Sequence, residues 1–137
     1  MVDALRESRR VLRPGGQLVD VRPLSRDIRV SLASDAEVRY VGEIDESEYE
    51  AMDAEADRRI LEGVRLGWFK QDDQIEFGFH WYFDTLDDFV EYVTEQWEDH
   101  LDDATLTRTA ELLAAAPKGT RIQVHKPVQL AWYTRLT

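Results

Sequence analysis

The sequence predicts an α/β to α+β fold in which helices flank a mixed β-sheet, and three observations lead to this prediction. Apolar residues recur at helical spacing in some segments and alternate with polar residues in others, as is typical of helices and strands respectively. Hydrophobic residues make up 43% of the 137-residue chain and aromatic residues 10%. A chain of this length and content can bury one core, so we expect residues 1–137 to form a single domain.

The first predicted elements are a helix over residues 3–12 and a buried strand over Gln17–Val21. Leu5 and Leu12 lie on one stripe of the helix, and the basic residues of its last turn complement the helix dipole. The Pro-Gly-Gly sequence at 14–16 ends the helix, because glycine accepts the positive φ that turns the chain into a strand.

Alternation of apolar and polar residues predicts two β-hairpins. The first covers residues 28–44 and turns at Ser34-Asp35. The second covers residues 66–83 and turns at Asp72-Asp73. The second hairpin has one heavily aromatic face, formed by Ile75, Phe77, Phe79, Trp81 and Phe83.

Three further helices are predicted from apolar residues at helical spacing. The first begins at a capping box, Ser47 with Glu50, and continues to Val64. The second begins at Thr85, whose hydroxyl is expected to cap it, and the third covers residues 104–115.

A long C-terminal strand is predicted from the alternation over residues 122–132. Pro127 implies a bulge, an edge or a tight connection within that strand, because proline has no N–H to donate. The sequence contains no internal repeat and no linker.

Residues 4–20 resemble the helix, Pro-Gly-Gly corner and fifth strand of class I S-adenosylmethionine (SAM) methyltransferases. Residues 85–137 are similar to the end of that family in the order of their elements, and residues 24–84 would then contain insertions. The resemblance implies a Rossmann-like fold of which this chain is the C-terminal half, with inserted β-hairpins.

The SAM-binding half of that family has no counterpart in this sequence. The family binds SAM through a glycine-rich loop after its first strand and an acidic residue at the end of its second. Gly15-Gly16 follow a helix and precede a strand, which is the reverse of the order that such a loop needs. The chain is therefore expected to bind no cofactor and to be inactive alone. Methyltransferase activity would require a SAM-binding half from another chain or an upstream segment.

The missing half leads to a prediction about partners. In the family the fifth strand has the fourth strand on one side and the antiparallel last strand on the other. Gln17–Val21 would then be an exposed apolar edge, which natural proteins cover. We expect either a homodimer or a separate cofactor-binding subunit to cover it, so that the chain works as a partner or substrate-side module.

Three residues are weak candidates for chemistry. Asp20 and Arg22 lie at the C-terminal end of the predicted fifth strand, where open α/β sheets bind ligands, although a solvated strand end with an ion pair is the more common explanation of such residues. His80 has a side chain suited to general base catalysis, although such histidines more often have structural hydrogen bonds.

Aromatic residues suggest an alternative function, that of a small-molecule-binding protein. The residues expected to line its pocket are Trp68, Phe77, Phe79, Trp81 and Trp132. Alternating aromatic residues on a strand belong more often to a core than to a ligand site, so both interpretations stay open.

Composition excludes several classes of function. The net charge of −11 opposes binding to nucleic acids and to anionic membranes. No apolar run is long enough to span a bilayer, so a cytoplasmic location is expected. The chain has no cysteine, and its three histidines and its acidic clusters lack the spacing of a metal site.

Overall fold

The computed structural model describes residues 2–97 and 100–137, in which the chain forms four helices and five strands. The helices are α1 (Val2–Val11), α2 (Glu50–Arg65), α3 (Leu86–Gln96) and α4 (Asp103–Ala114). The strands are β1 (Gln17–Pro23), β2 (Ile28–Ala33), β3 (Val38–Ile44), β4 (Phe69–Phe83) and β5 (Arg121–Arg135). The predicted combination of one sheet with helices is confirmed.

The strands form an open sheet in the order β1-β5-β2-β3, and β4 pairs with β5. The sheet is antiparallel, whereas the sequence predicted a mixed sheet. The difference arises because the long C-terminal strand β5 lies beside β1, β2 and β4, and these strands run in the opposite direction to it.

The hairpin predicted over residues 28–44 is confirmed. Strands β2 and β3 pair antiparallel, with Ile28 opposite Ile44 and Ala33 opposite Val38. The connection is closed by a bond from the Ser34 backbone N–H to a carbonyl at Glu37.

The hairpin predicted over residues 66–83 is wrong. Phe69–Phe83 is one strand of 15 residues, and Asp72-Asp73 lie within it rather than in a turn. The Thr134 hydroxyl of β5 donates to the Asp72 carboxylate at 2.5 Å, so Asp72 is held beside an extended strand. Pairing of β4 with the long strand β5 therefore overrides the local turn preference of the two aspartates.

The helices lie close to their predicted ranges. Thr85 caps α3 as predicted, because its hydroxyl accepts a bond from the Asp88 N–H at 3.1 Å. The predicted capping box of α2 is not formed. Ser47–Tyr49 is a short 3-10 turn instead, and the N-cap residue, Tyr49, makes no capping hydrogen bond with its side chain. In the described part of the chain, no helix is both long and apolar enough to cross a membrane.

The chain divides into two compact units. The first unit holds the described residues of Met1–Leu24, Tyr49–Phe77 and Val128–Thr137. It contains α1, α2, β1, the first half of β4 and the second half of β5. Its core consists of Leu5, Ile60, Phe69, Ala131 and Tyr133.

The corner between α1 and β1 is held by the end of β5 in this first unit. Gly15 has a φ of +82°, so the predicted glycine corner is confirmed at that residue. The Gly15 N–H donates to the Arg135 carbonyl at 2.9 Å, and the Arg135 N–H donates to the Gly16 carbonyl at 2.8 Å. These bonds place β1 beside β5, with Gln17 opposite Thr134.

The second unit holds the described residues of Ser25–Glu48 and Gly78–Pro127. It contains β2, β3, α3, α4, the second half of β4 and the first half of β5. Its core includes Ile28, Val30, Phe89, Ile122 and Val124. Because side chains alternate along a strand, the residues between these positions of β2 and β5 lie on the opposite face of the sheet.

Candidate functional site

A pair of imidazoles lies on the face of the sheet opposite to the core of the second unit, which we call its open face. His125 Nδ1 and His80 Nε2 are 3.0 Å apart, and the two ring centroids are 5.0 Å apart. One ring must donate and the other accept, because a bond between two nitrogens needs one proton. The pair joins β4 to β5 and contains one residue, His80, that the sequence singled out.

The position of the His125 ring depends on a glycine. A Cβ atom added to Gly78 would lie 2.2 Å from His125 Cε1 and 2.6 Å from its Nδ1. No side chain other than hydrogen fits there without moving the ring. Gly78 therefore leaves room for the His125 ring beside β4, where its Nδ1 lies 3.0 Å from His80 Nε2.

A row of polar side chains on β4 and β5 lies next to the imidazole pair. The Gln123 amide donates to the Tyr82 hydroxyl at 3.1 Å, and the Arg121 guanidinium lies 4.3 Å from the centre of the Tyr82 ring. Gln123 is 7% exposed although it lies on the open face, because its neighbours cover it. The hydrogen-bond donors Gln123 and Arg121 are thus held in place by their contacts with Tyr82.

The register extends this row across β2 and β3. Arg29 is opposite His125, and Ser31 is opposite Gln123. In the next pair Arg29 is opposite Glu43 and Ser31 is opposite Tyr40. Directly opposed residues share a face, so four strands contribute to one open surface.

An open groove of about 450 Å³ lies on that surface. Its lining residues are Arg29, Ser31, Val38, Tyr40 and Glu43. A volume of this size is in the range of small-molecule sites. In the described part of the chain, no ion pair joins the Arg29 and Glu43 side chains.

A different feature distinguishes the first unit, the free edge of β1. Among residues 2–97 and 100–137, β1 has β5 as its one strand neighbour. Val19 and Val21 are 48% and 57% exposed, and they lie opposite Trp132 and Leu130 of β5. An edge with open backbone groups is thus next to an exposed apolar strip.

The structure brings Asp20 and Arg22 together in the first unit. Arg22 Nε donates to Asp20 at 2.9 Å, and its Nη2 donates to Asp57 of α2 at 2.5 Å. Both side chains of the Asp20–Arg22 pair are 16% exposed. Burial raises the pKa of the nearby Tyr133 hydroxyl, and the charge of Asp20 adds to this effect. The arrangement anchors α2 on β1 by charge.

The five aromatic residues predicted to line a pocket have different surroundings. Trp68 packs at the border of the first core, and the Arg9 guanidinium lies 5.5 Å from the centre of its ring. Phe79 and Trp81 pack edge to face in the second unit, with their ring centroids 4.7 Å apart. Phe77 is exposed, and Trp132 is half-buried opposite Val19.

Sequence reasoning missed a buried carboxylate in the second unit. Glu46 accepts a bond from Trp97 Nε1 at 2.5 Å and one from Lys126 Nζ at 2.9 Å. No spacing in the sequence points to this triad, because its three members lie far apart along the chain. Its side chains satisfy one another, which indicates a structural role.

Within the described ranges, the structure places no three His, Asp or Glu side chains where they could share a metal ion. Comparison with protein families, curated proteins and solved structures finds no match for this chain.

Proposed function

We propose that this chain is the substrate-side module of a two-part methyltransferase, and that a separate polypeptide with the SAM-binding half pairs its strand with β1. The observation that carries the proposal is the free edge of β1 in the first unit. The family that residues 4–20 resemble has its fourth strand beside this position. The antiparallel neighbour that the resemblance implies is the last strand, and β1 does pair antiparallel with β5.

The edge itself favours strand addition. The backbone N–H and C=O groups of β1 that point away from β5 have no strand partner in the described chain. A strand from another polypeptide satisfies such groups, and this is a common mode of recognition. Seven residues, Gln17–Pro23, are available for the pairing.

The apolar strip beside the edge would contribute to the same contact. Val19 and Val21 are about half exposed, and burying a valine is worth on the order of 1–2 kcal/mol. A partner that adds a strand and covers the apolar strip removes both valines from water. The proposal therefore accounts for two exposed features with one contact.

The charge of the N-terminal segment favours a separate partner over a second copy. Residues 1–24 contain five arginines and three acidic residues, whereas the whole chain has a net charge of −11. A second copy would bring the same basic segment to the contact. An acidic surface on a different polypeptide complements it better.

Sedimentation velocity at rising protein concentration tests the edge. Without its partner, the wild-type chain is expected to associate reversibly, because a free edge pairs with any strand that is available. The variant Val19→Lys/Val21→Lys should remain monomeric. The matched control is Val38→Lys, which changes a strand valine that is 62% exposed in the second unit, and it should associate as the wild type does. A wild-type chain that stays monomeric throughout contradicts the proposed edge, and a tight symmetric dimer would make a second copy the partner.

Amide hydrogen exchange and SAM titration test the identity of the partner. Adding the SAM-binding half of a class I methyltransferase, ended after its fourth strand, should slow exchange in Gln17–Pro23 and leave β3 unchanged. The isolated chain should show no saturable change of tryptophan fluorescence with SAM. Micromolar SAM affinity of the isolated chain would overturn the two-part proposal.

A further inference from the structure

We propose that the groove on β2 and β3 binds a free α-amino acid with an apolar side chain. Arg29 and Ser31 would hold its carboxylate, and Glu43 would hold its ammonium group. The groove lies in the second unit, so this inference is independent of the β1 edge. Three observations support it: polar side chains without partners line the groove, a β-bulge brings a tyrosine to them, and exposed apolar surface lies beside them.

Two opposite charges in this groove leave each other unpaired. Arg29 on β2 is directly opposite Glu43 on β3, and both line the groove. Opposed residues of an antiparallel pair have Cβ atoms about 4.5–5.5 Å apart, which is close enough for an ion pair. Among residues 2–97 and 100–137, neither of the two side chains has an ion-pair or hydrogen-bond partner. A positive and a negative group therefore lie side by side with their bonding capacity unused.

Ser31 adds a nearly buried hydroxyl to the same groove. It is 7% exposed and belongs to the groove lining. Its side chain has no hydrogen-bond partner within the described ranges, whereas a buried polar group ordinarily has one. Arg29 and Ser31 are two positions apart on β2, so both side chains lie on one face of the sheet. An anionic ligand oxygen would accept from both groups.

A β-bulge in β3 brings Tyr40 to the same face as Glu43. The pairing of β2 with β3 shifts at Ser31, which is opposite Tyr40, and it leaves out Val41. Residues three positions apart on a regular strand lie on opposite faces, but here Tyr40 and Glu43 line one groove. The Arg108 guanidinium donates to the Val41 carbonyl at 2.8 Å, which holds the bulge in place. Bulges are frequent beside ligand sites because they re-aim a side chain in this way.

The groove also supplies apolar surface for the side chain of the amino acid. Val38 and Tyr40 line it and are 62% and 55% exposed. An aromatic or aliphatic group that packs on them removes apolar surface from water. The groove volume of about 450 Å³ leaves room for a side chain of the size of phenylalanine.

The pair of charges selects a ligand that carries both signs. A carboxylate alone would satisfy Arg29 but would lie close to the negative charge of Glu43. An amine alone would satisfy Glu43 but would lie close to the guanidinium. In an α-amino acid one carbon atom carries both the carboxylate and the ammonium group, so the two can reach neighbouring side chains at once.

Titration of the ¹⁵N-labelled full chain with L-phenylalanine, followed by NMR, tests the proposal. Saturable shifts are expected in the amides of β2 and β3. The analogue 3-phenylpropionate lacks the ammonium group, and phenethylamine lacks the carboxylate. Each should bind about tenfold more weakly than the amino acid, which is the loss of one charge-assisted bond. The absence of saturable shifts with L-phenylalanine, or an analogue that binds as tightly as the amino acid, would overturn the proposal.

Two variants assign the charges of the ligand to their partners. Arg29→Gln should weaken the binding of L-phenylalanine about tenfold without weakening that of phenethylamine, which has no carboxylate to lose. Glu43→Gln should weaken the binding of L-phenylalanine about tenfold without weakening that of 3-phenylpropionate, which has no ammonium group. If a variant weakens the amino acid and both analogues alike, the charges are not paired as proposed and the proposal fails.

The matched controls are Arg39→Gln and Glu37→Gln, two residues of the same hairpin that line a separate cavity of about 140 Å³. They change the net charge of the chain by the same amounts as the test variants do, and both should leave the affinity unchanged. Controls that weaken binding as much as the test variants would place the ligand elsewhere and overturn the proposal. The analogue titrations use the wild-type chain, so they decide the proposal even where a variant does not fold.

Discussion

At the scale of single residues, the position of His125 depends on the missing side chain of Gly78. The variant Gly78→Ala places a Cβ atom 2.2 Å from His125 Cε1, so the ring must move. We expect the His80–His125 bond to break and the free energy of unfolding to fall by about 1–3 kcal/mol. Urea denaturation measures the stability, and the imidazole ¹⁵N shifts report the bond.

Gly63 is the matched control for this prediction. A Cβ atom there meets its nearest neighbours at 3.7 Å, which is ordinary contact, and the residue lies within α2. Gly63→Ala should be neutral or stabilise by up to about 1 kcal/mol, because alanine favours the helix. A Gly78→Ala variant with wild-type stability and an intact histidine bond would show that His125 lies elsewhere.

Lys126 neutralises a carboxylate that is almost removed from water. Lys126→Met leaves Glu46, which is 9% exposed, with the Trp97 bond but without its counter-charge. We expect a loss of about 3 kcal/mol in the free energy of unfolding, since an uncompensated buried charge is costly. Lys118→Met, at an exposed lysine, should change stability by less than about 0.5 kcal/mol. Equal effects of the two variants in urea denaturation would contradict the buried pair.

Contacts between close neighbours in the sequence could be predicted, whereas contacts between residues far apart along the chain could not. His80 was a candidate because imidazole titrates near neutral pH, but its partner His125 is 45 positions away. The ion pair considered for Asp20 and Arg22 forms, since two positions apart on a strand place them on one face. Its third member, Asp57, comes from a helix that no local pattern connects to β1.

At the scale of elements, the start of α3 depends on one hydroxyl. Thr85→Ala removes the bond that the Asp88 N–H donates, so we expect a loss of about 1 kcal/mol. Thr107→Ala, in the exposed middle of α4, should be neutral within about 0.5 kcal/mol. Thermal unfolding followed by circular dichroism compares the two variants, and a neutral Thr85→Ala would contradict the cap.

The outer face of α2 gives a pH prediction. Hydrogen bonds from Arg58, and then from Arg59, lower the pKa of Glu55 from 4.5 to about 2. A lowered pKa means that the stabilisation is fully present above the ordinary value and is lost as the pH falls towards 2. Glu55→Gln should therefore be less stable than the wild type at pH 7, and this difference should shrink as the pH falls below 4.5. Urea denaturation over this range measures it, with the exposed Glu111→Gln as control. A difference that is constant with pH would contradict the ion pairs.

The sequence predicts helices better than it predicts strand partners in this chain. The helices α3 and α4 follow from spacing and caps, which are local properties. Strand β4 was predicted as two strands because Asp72-Asp73 has turn chemistry, and its pairing with β5 lies beyond any local pattern. The open face of the second unit could not be predicted for the same reason, since it depends on the register of β2, β3 and β5.

At the scale of the whole molecule, the unbalanced charge opposes the folded state. The chain has 28 acidic and 17 basic residues, and their mutual repulsion is relieved when the chain expands. Salt screens this repulsion, because the Debye length falls from about 30 Å at 0.01 M to about 8 Å at 0.15 M. We expect the midpoint of thermal unfolding to rise by on the order of a few degrees over this range, as measured by calorimetry.

Two variants separate repulsion from the specific ion pairs that salt weakens. Glu91 and Glu95 are exposed on α3, and Glu91→Lys/Glu95→Lys makes the chain less acidic without touching the core. This variant should be more stable than the wild type at low salt and should respond less to added salt. Glu91→Gln/Glu95→Gln changes the net charge by half as much. Its unfolding midpoint at low salt should therefore lie between those of the wild type and the lysine variant, since the response depends on the charge and not on the new side chain. If salt lowers the wild-type midpoint instead, the ion pairs outweigh the repulsion, and the net charge is not what limits the stability of this fold.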